Sequence, residues 1–110
     1  MASDNIVQTS IDCVAPTGER FTASVEIGRP YCLPDGHWAC SVRIRGLYDN
    51  LADIHGEDSL PALCLAASLV RLLLRALMED GGRLLHPNTN DSYDLDATFG
   101  SLGTPSNRRT

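Results

Sequence analysis

The stretch LPALCLAASLVRLLLRALM, residues 60–78, decides the fold of this chain. It is apolar at nearly every position, interrupted by Pro61, Ser68, Arg71 and Arg75. On a helix of 3.6 residues per turn, Ser68, Arg71, Arg75 and Glu79 follow at steps of three, four and four, which aligns them in one narrow polar stripe. The rest of the cylinder needs cover. A small protein can lay one sheet against one side of such a helix, which leaves apolar flanks for a second partner. Leu69 and Leu73 on that flank, with Arg71 and Arg75 at its border, are the candidate interaction residues.

The ends of the helix are marked as well. Asp58 or Ser59 supplies the short oxygen of an N-cap, Pro61 is tolerated in the first turn, and Gly81-Gly82 stops the helix. The run has membrane-spanning length, but each mid-span Arg costs about 2.5–3.5 kcal/mol to insert, so a core helix is the expectation. The first residues carry neither a basic region nor an apolar run, so the expected location is the cytoplasm.

Upstream, apolar and polar residues alternate with period two, which predicts three strands. Residues 6–15 turn Val7, Ile11, Cys13 and Ala15 to one face; residues 20–28 do the same with Phe21, Ala23, Val25 and Ile27. Residues 38–45 turn Trp38, Cys40, Val42 and Ile44 inward. The opposite faces carry Asp12, Glu26, Arg43 and Arg45, a set suited to cross-strand pairing on a solvated surface. A turn at residues 16–19 and a Pro- and Gly-marked loop at residues 29–37 join the strands. After the helix, residues 83–86 offer a short strand. Tyr93, Leu95, Ala97 and Phe99 alternate in a way that fits a further strand or a segment lying in a groove. The expected fold is α+β: a three-stranded antiparallel meander on one long helix, with room for a short extra strand. Residues 1–100 form one domain and residues 101–110 a flexible tail.

Read with these strands and the Gly81-Gly82 stop, the segment GEDSLPALCLA, residues 56–66, resembles the G-x-D-S-x-Q-A-L-x-L-A segment of small uncharacterised bacterial proteins, with Pro61 in place of Gln. The likeness covers roughly residues 20–85. It implies a meander followed by a long helix and carries no activity with it. Capping explains the Asp58-Ser59 pair.

The composition narrows function. With 14 acidic side chains against 9 basic ones the net charge is −5, which repels a phosphate backbone, so no nucleic-acid partner is expected. A chain without Lys cannot supply a phosphate-binding loop of the Walker type. Of the four cysteines, Cys13 and Cys40 face inward by strand parity and Cys64 lies on the apolar helix, so three are read as buried small hydrophobes. Cys32, His37 and Cys40, with His55 as a fourth ligand, are the candidate metal set, although no C-x2-C pair anchors it. Cys32 beside Asp35 and His37 is the one local grouping that offers a thiol and a base. No cofactor is expected.

The leading functional expectation is a non-enzymatic bacterial interaction module, either a homodimer or an acidic inhibitor or immunity-type protein. The alternatives are a small zinc- or thiol-dependent enzyme centred on Cys32, His37 and Cys40, and a structural subunit of a larger complex.

Overall fold

The computed structural model describes residues 4–100, so the tail expected over residues 101–110 lies outside the described residues. The elements follow in the order β1 (Asn5–Val14), β2 (Arg20–Gly28), β3 (Tyr31–Cys32), β4 (Trp38–Cys40), β5 (Val42–Arg45), β6 (Ile54–Gly56), α1 (Ser59–Glu79), β7 (Arg83–Leu85) and α2 (Leu95–Phe99). The class is α+β with antiparallel pairing throughout. The three-stranded meander is replaced by two sheets, one ordered β5-β2-β1-β7 and the other β3-β4-β6.

The division occurs at Ser41. Periodicity alone reads residues 38–45 as one strand, because Cys40, Val42 and Ile44 all face the same core. The Gly28 amide, however, donates to the Ser41 carbonyl at 2.9 Å, and a Cβ on Gly28 would lie 2.1 Å from Ser41 Oγ. The chain is broken by this close approach at the end of β2. Beyond it β5 stays with β2, Ile27 opposite Val42, while β4 pairs with β3 and β6. The parity of side chains survives the break and the partner strands change.

Helix α1 starts and stops where its sequence says. Asp58 is the N-cap, in extended backbone, and its carboxylate accepts from the Ser59 amide at 2.7 Å. At the other end Gly81 has φ +101°, its amide donates to Met78 O, and the Gly82 amide donates to Leu77 O. This is the paired bonding of a Schellman stop, which needs a residue at ease in left-handed backbone. The helix buries Ala62, Ala66, Val70 and Leu74, a row at steps of four. Small residues lead because the first turn lies on β6: a Cβ on Gly56 would come within 2.6 Å of the Ala62 amide nitrogen. Sealing Val70 and Leu74 contributes roughly 1.5–3 kcal/mol for each side chain.

Because α1 packs chiefly on β6 and β4 and only lightly on β2, it leaves one end of the first sheet uncovered. Ile11 and Cys13 on β1 are buried as expected, but Val7 on the same face is 39% exposed. Cys64 also departs from its expected burial: it projects from α1 away from the sheets and is exposed. The short strand after the helix is present as β7, paired with the second half of β1. The segment from Tyr93 adds no strand: residues 95–99 form α2, and Tyr93 and Phe99 line an apolar groove. Asp94 outweighs the period-two pattern by capping that helix, its carboxylate accepting from the Ala97 amide at 3.1 Å.

Candidate functional site

One flank of α1, beside its polar stripe, exposes leucines. Leu65 and Leu72, two turns apart, are 50% and 64% exposed and Leu69 is half-buried beside them, while Leu60, 66% exposed, lies across the stripe. By length and composition this helix could also cross a membrane, yet its inner row is occupied by protein. Arg71 and Arg75 are engaged within the chain. The Arg71 guanidinium donates to Asp96 Oδ1 at 2.8 Å and Arg75 donates to the same oxygen, which fastens α2 to α1. The Arg71 hydrogen bond, with the nearby Arg75 charge, holds the Asp96 carboxyl below its ordinary pKa of 3.8. Of the four expected interaction residues, Leu69 and Leu73 are half-buried and pack against the core, and Arg71 and Arg75 fasten α2.

Beside α2 lies an apolar groove of about 210 Å³. Its roof is the inner face of β1 and β2, with Val7, Ile11, Val25 and Ile27; its walls are Val70 and Leu74 of α1 and the rings of Tyr93 and Phe99. Such a lining holds apolar groups and supplies no acid, base or nucleophile in the neutral range. Above it runs an edge that no strand pairs among the described residues. β1 pairs with β2 along its length, but β7 covers its other side only from Asp12 to Val14. The groove escaped periodicity because its wall comes from a segment whose helical cap outweighs its alternation.

The candidate metal set does not converge. Cys40 is buried, and its Sγ donates to Gly28 O at 3.2 Å; burial is the main cause that raises its pKa. Cys32 is exposed opposite Trp38, His37 turns to Asp35 at 3.2 Å, and His55 stands opposite Ala39 rather than Cys40. Among the described residues no three His, Cys, Asp or Glu side chains gather in a way that could hold a metal ion. Asp35 is held low by hydrogen bonds from the His37 backbone amide and side chain, as in a loop that closes on itself.

Two carboxylates on the face expected to be solvated are buried. Asp12 accepts from Arg20 at 2.8 Å, Thr22 at 2.9 Å and the Asn88 amide at 3.1 Å, and these bonds, Arg20 foremost, lower its pKa. Asn88 reaches it in left-handed backbone, φ 61°. Glu26 accepts from Arg45 Nε at 2.8 Å. Oδ2 of Asp12, which takes the Arg20 and Asn88 bonds, holds the loop after β7 onto the sheet, and Oδ1 takes the Thr22 hydroxyl of β2, so both oxygens have a structural task. No match to the chain is found among curated proteins or solved structures. Residues 13–97 match the family described as Domain of unknown function (DUF6968), to which the chain therefore belongs.

Proposed function

We propose that the protein is a non-enzymatic protein-interaction module that docks a partner on the leucine face of α1. The observation that carries this reading is the exposure of Leu65 and Leu72, 50% and 64%, on a helix whose inner row is fully buried. Covering such side chains contributes about 25 cal/mol per Å² of apolar surface removed from water. The acid excess, 14 against 9, suits a basic partner and the inhibitor or immunity-type role, since complementary fields speed encounter. Two exposed free thiols, Cys32 and Cys64, suit a reducing bacterial cytoplasm.

Affinity recovery of the full chain from its native host tests the reading. A protein recovered with the wild type and lost with Leu65→Ser/Leu72→Ser, at unchanged thermal stability, supports it. Equal recovery with both chains overturns the leucine face as the docking surface. Stoichiometric zinc in the purified protein, lost on Cys32→Ser, overturns the non-enzymatic reading in favour of a metal site in the β3–β4 hairpin.

A further inference from the structure

A strand edge is a row of unsatisfied amides and carbonyls, and folded proteins shield it with charge, proline, shortness or cover. The other edges here are shielded. β5 carries Arg43 and Arg45 and is bridged by Tyr48; β7 is bridged by Ser92; β3 and β6 are two and three residues long. The first half of β1 is different. Residues 7–11, Val-Gln-Thr-Ser-Ile, carry no charge and no proline, and Val7 to Ser10 are exposed. Among the described residues no strand pairs with them on the side away from β2. The inward side chains Val7, Thr9 and Ile11 line the apolar groove walled by Tyr93 and Phe99.

We propose that this edge is a homodimer site, filled by β1 of a second copy in antiparallel two-fold pairing centred on Thr9. The free window sets the centre. β7 closes it from Asp12 onward, and the register with β2 breaks between Asn5 and Val7, so the regular free strand is residues 7–11 with Thr9 in the middle. A two-fold axis there sets Val7 opposite Ile11 of the second copy, Thr9 opposite its own copy, and Gln8 opposite Ser10. Opposed residues share a face, so the inner pairs are β-branched and the outer pair is polar, the combinations that stabilise antiparallel neighbours. No acid meets an acid, although each chain carries a net charge of −5. The incoming strand must leave this lane where β7 begins, at Asp12, and Ile6 of the second copy falls there, at its own register break. A bulge bends a strand at such a point. The outcome is a closed, isologous pair with one sheet running through both copies.

This inference deepens the interaction reading by naming a surface and its occupant, and it is separable from the leucine face. Light scattering coupled to size exclusion on the full chain is expected to give twice the 11.9 kDa chain mass. Thr9→Lys, which opposes two like charges on the axis at an exposed position, is expected to halve that mass while far-ultraviolet circular dichroism stays that of the folded chain. In a Cys32→Ser/Cys64→Ser background, Thr9→Cys is expected to yield a disulfide-linked dimer under mild oxidation and Leu72→Cys is not. A wild-type monomer throughout a concentration series up to about millimolar overturns the proposal. So does a dimer that survives Thr9→Lys but is lost on Leu65→Ser/Leu72→Ser, which would assign self-association to the leucine face and leave the interaction reading standing.

Discussion

The Arg71 guanidinium donates to the Asp96 carboxylate at 2.8 Å, which ties α2 to the polar stripe of α1. The stripe that the helical period reveals is thus a fastening for the segment that walls the apolar groove. Asp96→Ala is expected to speed amide hydrogen exchange at Ala97 and Thr98, whose bonds to Asp94 hold the short helix, while leaving exchange in β1 and β2 unchanged.

The two sides of α1 should respond differently to the same truncation. Leu74 is 0% exposed and Leu72 is 64% exposed. Leu74→Ala is expected to cost about 2–5 kcal/mol, transfer and cavity terms together. Leu72→Ala is expected to fall within about 0.5 kcal/mol of wild type for the isolated chain. Urea unfolding followed by circular dichroism measures both.

Acid should loosen the loop after β7. Asp12 has its carboxyl lowered from 3.8, chiefly by Arg20, so the folded state binds the proton less readily than the unfolded chain. Its contribution to stability is therefore complete above about pH 4–5 and is lost as pH falls through the lowered value. Asp12→Asn is expected to flatten the acid limb of the stability profile below about pH 4. Exchange at the Asn88 amide, which donates to Asp12, reports the same change locally.

Thiol chemistry should split the cysteines into two pairs. Cys13 is buried, and desolvation pushes its thiol up to about 11; Cys40 is raised for the same reason. Cys32 and Cys64 are exposed. At pH 8 an alkylating reagent is expected to modify two thiols per native chain quickly and all four only in denaturant, with mass spectrometry placing the fast pair at Cys32 and Cys64.

Local rules carried the reading of this chain wherever the cause of a structure lies within a few residues. Asp58 as the cap, the Gly81-Gly82 stop, the inward parity of Ile11, Cys13, Val25 and Ile44, and the short strand at residues 83–85 follow from side-chain oxygens, backbone freedom and period-two alternation. Tertiary structure decided what parity cannot express. Alternation tells which way Cys40 and Val42 point, not that the approach of Gly28 to Ser41 would send them into different sheets. It made Val7 and Ile11 equivalent, whereas α1 follows β4 and β6 and leaves Val7 open. The same geometry left the edge of residues 7–11 without a strand partner among the described residues and brought Tyr93 and Phe99 to the groove that its inner side chains line. Whether an apolar side chain is covered depends on where the rest of the chain goes, because burial is a property of the space between elements that are distant in sequence.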